Sequence, residues 1–467
     1  MSDFGGSERR FASDVADGAR EASFMLRLGW LVIMGVVFFS TYGLANWLAS
    51  QRASVPTFAF GWERAIPFVP WTIVPYWSID LLYALSFFLW ARRDDLLDHV
   101  KRLLTVQLIS VACFIAWPLR FGFERPDAGG VAGALFTLLM GFDKPYNQAP
   151  SLHIGLLVVL WAVYAEHLRS IAARVVLHLW FAAIGVSVLT TWQHHAIDVP
   201  TGVAVGCVAL FLFPLRAAAC RARAANRVPS PEACVLARRY ALAAIAVACV
   251  ALACLPGAAG AALVAGWVAL SLACVASIYW RGMPAAFQKD AQGRFPPLML
   301  MLFTPTIAGA FVNSRAWTFR RPQPVRIDAR VSIGRTPTSS ELRRHGFTGL
   351  VDLTAEMPRW TKSDALFAYA TVPQLDLVVP SYLQLRQAVA ELERLHESGH
   401  DVLVCCALGY GRSVLCAAAW LSMRRNMNDA GDALAAVRAM QPDAVWSAKS
   451  AAVLQEWIDR RRATEAV

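Results

Sequence analysis

The stretch Val402-Leu403-Val404-Cys405-Cys406-Ala407-Leu408-Gly409-Tyr410-Gly411-Arg412-Ser413 places a thiol, a guanidinium and a hydroxyl close together in the chain. Apolar residues precede and follow it, so it reads as a buried strand, a glycine-containing loop and a helix N-terminus. Such a loop turns successive backbone N–H groups inward and makes an anion-binding nest. Gly409 and Gly411 supply the backbone freedom that these turns need. The helix beginning near Ser413 adds partial positive charge. That cradle favours the thiolate, which assigns Cys406 as a nucleophile. Arg412 offers a planar fork to two phosphate oxygens. The Ser413 hydroxyl can hydrogen-bond the sulfur and ease its departure in a second step.

A second constellation lies far upstream. Pro150-Ser151-Leu152-His153 opens an apolar run, and His194-His195-Ala196-Ile197-Asp198 joins two others. A His followed four positions later by Asp would share one helical face, where the carboxylate orients the imidazole and supports its charge. Ser151 and the unpaired N–H groups at a helix start would attract an anion. Ionisable groups at membrane depth are costly and usually functional.

The elements that must position these groups differ in kind. The chain has 467 residues, 57% hydrophobic and 16% charged, with net charge +11. Soluble proteins average roughly 45–50% apolar and about 25% charged, so the excess points to lipid. Runs long enough to span a bilayer fall at Leu28–Ala49, Phe68–Trp90, Leu103–Pro118, His153–Ala165, Val175–Thr191, Ile197–Leu215, Tyr240–Leu255 and Ala258–Trp280. This gives a polytopic α-helical domain of about eight spans. Residues 1–27 read as a polar N-terminal tail without the features of a cleaved signal peptide.

Arginines and lysines cluster between spans two and three (Arg92, Arg93, Lys101, Arg102), four and five (Arg169, Arg174), and six and seven (Arg216, Arg221, Arg223, Arg227, Arg238, Arg239). With Arg9, Arg10 and Arg20 they put both termini in the cytoplasm of an inner-membrane protein. Arg120, Arg125, His153 and His194 fall on the opposite, extracytoplasmic face. The basic residues sit in short loop clusters, without a stripe of interleaved aromatics, which argues against nucleic acid as partner. The Pro297–Phe303 run is bracketed by prolines and reads as an interfacial or packed segment of a junction, 226–325, that also holds the last two spans.

From about residue 326 short strands alternate with helices. Strands are expected at Val331–Gly334, Gly349–Leu353, Ala368–Val372 and Val402–Cys405. Helices are expected at Ser339–His345, Ser381–Ser398, Ser413–Arg425, Ala430–Met440 and Ser447–Arg461. That alternation predicts an α/β domain with a mainly parallel sheet over 326–467.

The C-x5-R-S pattern resembles the protein tyrosine phosphatase superfamily, most closely its dual-specificity branch and the compact phosphatases acting on phospholipids. The resemblance covers about residues 326–460. It implies an acid that protonates the leaving alkoxide. Asp376, thirty positions before Cys406, occupies the acid's place, whereas Asp352 at a strand end more plainly supports the fold. The family often has His before the nucleophile, and Cys405 stands there instead.

PSLH and HxxxD resemble the type 2 phosphatidic acid phosphatase superfamily, especially its inositol-phosphorylceramide synthase branch, over about residues 70–215. The membrane domain would then cover 28–225. That resemblance implies His194 as nucleophile, Asp198 as its orienting partner and His153 as general acid. The family's Ser-Arg pair is Ser187-Val188 here, and its first motif is reduced to Arg125-Pro126. Arg120, Arg125 or Lys144 would have to supply the phosphate-clamping charge. Neither resemblance requires a metal or other cofactor, since fixed cations and N–H dipoles neutralise phosphate. The implied substrates are a phospholipid or lipid phosphate at the bilayer, with a phosphoprotein as the alternative. A headgroup phosphotransferase, or a noncatalytic membrane anchor for the phosphatase, are the competing readings of the first half.

Overall fold

Serines set the starts of the apolar helices. The side chains of Ser23, Ser151, Ser170 and Ser230 accept hydrogen bonds from the N–H groups of Leu26, Ile154, Ala173 and Ala233. The computed structural model describes residues 21–215, 229–361 and 367–465. The chain divides into two units, Met1–Arg216 and Ala217–Val467. Arg9, Arg10, Arg20, Arg216, Arg221, Arg223 and Arg227 lie outside the described residues.

The first unit contains α1 (Phe24–Ser50), α2 (Ile73–Ser86), α3 (Arg93–Ala116), α4 (Gly130–Phe142), α5 (Leu152–His167), α6 (Ile171–Thr190) and α7 (Asp198–Leu212). The helix α4 is additional to the expected spans. Arg93, Lys101, Arg102 and Arg174 are helical residues, not loop residues as the sequence predicted. Arg102 is buried and donates to the carbonyls of Phe213 and Pro214 at 2.6 Å, so it caps the C-terminus of α7.

Close approach of α5 and α7 depends on glycine. A Cβ on Gly202 would stand 2.5 Å from the Ser151 carbonyl, and one on Gly206 would stand 2.6 Å from Val158 Cβ. Only hydrogen at these positions lets the two backbones meet.

The second unit opens with α8 (Pro231–Cys254), α9 (Ala259–Arg281) and α10 (Pro297–Trp317). Arg238 and Arg239 lie inside α8 and not in a loop. The 297–317 run, expected to be too interrupted for a span, is one continuous helix through Pro305. Pro296 and Pro297 sit at its start, where a missing N–H costs nothing. Among the described residues seven helices are long and apolar enough to cross a membrane, by length and composition, and α10 is one of them. The helices α4, α5 and α7 are apolar but shorter.

The α/β domain follows. Its five strands are β1 (Val325–Asp328), β2 (Val331–Arg335), β3 (Gly349–Thr354), β4 (Ala368–Gln374) and β5 (Val402–Cys406), in the order β1-β2-β5-β3-β4. The four expected strands run parallel, and β1, not anticipated, pairs antiparallel at the edge. Cys406 lies opposite Arg335, and Cys405 opposite Gly334 and Asp352. The helices are α11 (Ser339–His345), α12 (Tyr382–Glu397), α13 (Arg412–Arg424), α14 (Ala430–Met440) and α15 (Ala448–Glu465).

Strand alternation sends neighbouring side chains to opposite faces. Cys406 joins the main core with Ile333, Val351, Val404, Leu392 and Trp420. Cys405 joins a smaller core with Leu342, Leu350 and Leu403. The loop between α9 and α10 is fastened to this domain by Lys289, whose Nζ donates to Asp352 Oδ2 at 2.6 Å and to the Thr354 carbonyl at 2.8 Å. Asp352, buried, also accepts from Tyr369 and from the Thr354 N–H.

Candidate active sites

A strand that ends in the core and a helix that starts in the core leave only one narrow loop between them. Cys406 ends β5 and Arg412 begins α13, so residues 407–411 must turn within that gap. Gly409 makes the turn at φ +83°, where a Cβ would lie 2.6 Å from the Gly334 carbonyl carbon. No larger residue fits there. Gly411 differs from the expectation: its φ is −124°, and a Cβ would meet only the Val445 carbonyl at 3.8 Å.

The turn folds back over the sulfur. The Gly409 N–H donates to Cys406 Sγ at 3.2 Å, and Ser413 Oγ stands 3.4 Å from it. Cys406, Arg412 and Ser413 are all buried. The Cys406 carbonyl accepts from the Thr336 N–H at 2.8 Å. In a trans peptide unit the next N–H points the opposite way, so the Ala407 N–H faces away from Thr336.

Arg412 is held by four acidic or carbonyl partners, the weakest being the Leu353 carbonyl at 3.5 Å. Its Nη1 and Nη2 donate to Glu356 at 3.0 and 2.7 Å, Nη2 also to Asp376 Oδ1 at 2.8 Å, and Nη1 to the Gln374 carbonyl at 2.8 Å. Burial works against its charge, but the Glu356 and Asp376 carboxylates outweigh it and hold the guanidinium pKa well above its ordinary value. The fork that the sequence assigned to phosphate is thus filled on one side by Glu356. Arg412 Nε is the buried donor left without a partner among the described residues.

Glu356 had no signal in the chain, because its partner lies on another element 56 positions away. Asp376 sits in the loop after β4, and the structure brings it onto Arg412. Cys405 is occupied differently: burial, with Asp352 nearby, pushes its thiol pKa well up.

Residues of the first unit gather a second cluster. His194 and Asp198 do not share a helical face as expected. The chain turns between them and α7 begins at Asp198, yet His194 Nδ1 still lies 3.1 Å from Asp198 Oδ2. His153, in the first turn of α5, stacks on Tyr76 with ring centroids 4.2 Å apart and interacts electrostatically with His194. Its Nε2 has no partner among the described residues. Ser151 caps α5, and its N–H donates to the Asp198 carbonyl at 3.1 Å, which ties the two histidine segments together.

Arg120 and Arg125 line one cavity with Asp143, Trp192 and Gln193. Arg125 lies over the Phe136 ring at 4.7 Å and donates to the Trp192 carbonyl at 3.5 Å. Lys144 is exposed. His195 is taken by a partner the sequence did not reveal, Glu63, at 2.7 Å. Asp143, also missed, accepts from Tyr42 at 2.6 Å and interacts with His194 and Arg125.

Residues 332–460 match the family described as dual specificity phosphatase, catalytic domain. A Cys-based phosphatase domain therefore forms the C-terminal part of the chain, behind a helical region. Among solved structures, Tk-PTP in the active form is 29% identical and is covered over 99% of its length by 30% of this chain, with TM-score 0.26. Human DUSP28 is 21% identical, with 30% of this chain covering 96% of that one and TM-score 0.27. PTPMT1 in complex with PI(5)P is 20% identical, with 30% and 98% covered and TM-score 0.27. No curated protein matches the chain.

Proposed function

We propose that the chain is a multi-pass membrane phosphatase whose C-terminal site hydrolyses the phosphomonoester of a lipid. The observation that carries this is the buried Cys406 sulfur beneath the Gly409 N–H, with Ser413 and Arg412 beside it and Asp376 on the same guanidinium. Cys406 attacks phosphorus, an S–P bond forms, and the P–O ester bond breaks. The leaving oxygen takes the electron pair and a proton from Asp376. Water then attacks phosphorus, its proton passes to Asp376, the S–P bond breaks with its electron pair returning to the Cys406 thiolate, and orthophosphate is released. Gly409, Gly411 and the loop amides receive the phosphate oxygens, with Arg412 Nε–H.

Lipid is favoured over phosphoprotein by the seven long apolar helices and their outward apolar side chains, among them Val32, Val36 and Phe39. Confinement at the bilayer concentrates a lipid substrate. The termini and the Cys406 site would lie on the cytoplasmic side of the inner membrane on the positive-inside rule, which rests on Arg92, Arg169 and the sequence cluster at 216–227.

The His194–Asp198 pair beside His153 favours a second phosphoryl-transfer site of the type 2 phosphatidic acid phosphatase kind on the other face. His194 would attack phosphorus to form an N–P bond while the P–O ester bond breaks and His153 protonates the leaving oxygen; the acceptor would then attack phosphorus and break the N–P bond, freeing His194. Ser151, Arg120 and Arg125 would receive the phosphate. Water as acceptor makes it a phosphatase; a polyol acceptor makes it a headgroup transferase.

Phosphate release by the purified full chain tests both sites, with lipid phosphomonoesters and phosphopeptides as substrates. Cys406→Ser is expected to abolish the C-terminal activity and His194→Ala only the other. Persistence of lipid phosphomonoester hydrolysis in the double variant would exclude both assignments. An unchanged lipid activity in His194→Ala alone would leave the first half as an anchor.

A further inference from the structure

The catalytic loops of the α/β domain are held by side chains of the apolar helices that open the second unit. Ser314, in the last turn of α10, is buried and its Oγ donates to the Ala407 carbonyl at 2.5 Å. Ala407 is the first residue after the nucleophile. Tyr279, near the end of α9, is equally buried, and its hydroxyl donates to the Asp376 carbonyl at 3.1 Å. Arg315, beside Ser314, donates to the Thr336 carbonyl at 3.0 Å, and the Thr336 N–H holds the Cys406 carbonyl. The two helices thus grip both ends of the machinery.

We propose that Ser314 and Tyr279 are positioning residues of the Cys406 site: Ser314 aims a phosphate-binding amide, and Tyr279 fixes the loop that carries Asp376. This rests on the reading of Cys406, Arg412 and Asp376 as the catalytic set. The physical reason for Ser314 is peptide planarity. The peptide joining Ala407 and Leu408 is trans, so a carbonyl pulled toward α10 turns the Leu408 N–H to the opposite side, into the loop. Thr336 does the same for the Ala407 N–H one residue earlier. Two successive amides are then aimed before phosphate arrives, which is what preorganised anion stabilisation requires.

The reason for Tyr279 is the neighbouring backbone. Leu377 follows Asp376 with φ +57° and its side chain is exposed, so the turn has little packing of its own. A buried hydroxyl on a rigid helix restrains it. Tyr279 is itself braced by the ring of Tyr240 on α8, with centroids 5.4 Å apart. Neither residue touches the reacting atoms.

The test compares two substrates on the full chain in detergent micelles. An aryl phosphate such as nitrophenyl phosphate has a leaving group stable as an anion. A short-chain lipid phosphomonoester has an alkoxide leaving group that needs the proton. Asp376→Asn sets the reference, with a loss of about 10²–10⁴ on the alkyl substrate and much less on the aryl one. Tyr279→Phe is expected to lower kcat about tenfold on the alkyl substrate and less than about twofold on the aryl one.

Ser314→Ala is expected to lower kcat/KM about tenfold on both substrates and to weaken inhibition by tungstate by a similar factor. Ser314→Thr, which keeps the donor, should restore tungstate binding. It also serves as the folded comparison if the alanine variant does not fold.

If Asp376→Asn shows its leaving-group signature while Tyr279→Phe slows both substrates equally, or neither, the Tyr279 assignment is overturned and the catalytic reading stands. Unchanged tungstate inhibition in Ser314→Ala, or tungstate binding that Ser314→Thr does not recover, overturns the Ser314 assignment in the same way. Absence of any leaving-group signature in Asp376→Asn overturns the catalytic reading and the Tyr279 assignment together.

Discussion

At the scale of single residues, the proposed mechanism gives Arg412 the reception of phosphate. Its guanidinium is fixed by Glu356 on two nitrogens, and its Nε is left without a partner among the described residues. Charge-assisted pairs of this geometry contribute about 1.5–3 kcal/mol each. Glu356→Gln is therefore expected to loosen the fork and reduce kcat/KM about tenfold on a lipid phosphomonoester. A faster variant would instead mark Glu356 as a competitor of phosphate. The pKa of Arg412 is raised, so the arginine's own contribution to stability is fully present below the ordinary arginine value and fades only as pH climbs past it.

Two buried thiols of the α/β domain are held in the protonated form. Burial raises the pKa of Cys405 and pushes that of Cys416 up to about 12. A raised thiol pKa means less thiolate at a given pH. Alkylation near neutral pH, followed by mass spectrometry, should spare Cys405 and Cys416 and reach Cys406. Labelling of Cys405 before Cys406 in the folded protein would contradict the assignment of the nucleophile.

At the scale of elements, the loop between α9 and α10 is fastened by one buried cation. Lys289 and Asp352 are both buried, and removing one partner strands the other. Lys289→Met is expected to destabilise the second unit by about 3–5 kcal/mol. Denaturant unfolding of the full chain in detergent, followed by tryptophan emission, reads this. Lys289→Met with Asp352→Asn should recover part of the loss, because the uncompensated charge is gone. No recovery would mean that packing, not charge, holds the loop. Asp352 thereby takes the supporting place that its strand position suggested, although its cation comes from outside the α/β domain.

At the scale of the whole molecule, the proposal joins a lipid substrate to an enzyme confined to the same surface. The rate should then follow the mole fraction of lipid phosphomonoester in mixed micelles and not its bulk concentration. Dilution of the micelle surface with neutral detergent at fixed bulk substrate tests this. A rate indifferent to surface dilution would favour a water-soluble phosphomonoester or phosphopeptide.

The strands β2 to β5, the helices after them and the loop around Cys406 were legible because each is a local signal. Short apolar runs, capping residues and the Gly409 turn lie within a few positions of what they determine. The edge strand β1 was not legible, since four residues become a strand only by pairing with β2. The helix through Pro305 was missed because a proline interrupts the pattern, while helix neighbours such as α9 decide whether the break matters. His194 and Asp198 were correctly expected to meet, but by a turn and not along a helix.

What the sequence determined by itself was the set of candidate groups: a thiol, a guanidinium and a carboxylate, and two histidines with an aspartate. Tertiary structure alone decided who holds them. Glu356 on Arg412, Glu63 on His195, Lys289 on Asp352, and Ser314 and Tyr279 on the catalytic loops are contacts between residues far apart in the chain. Covalent order carries the reacting groups within short motifs, whereas the partners that orient them are chosen by packing, and packing has no local spacing to read.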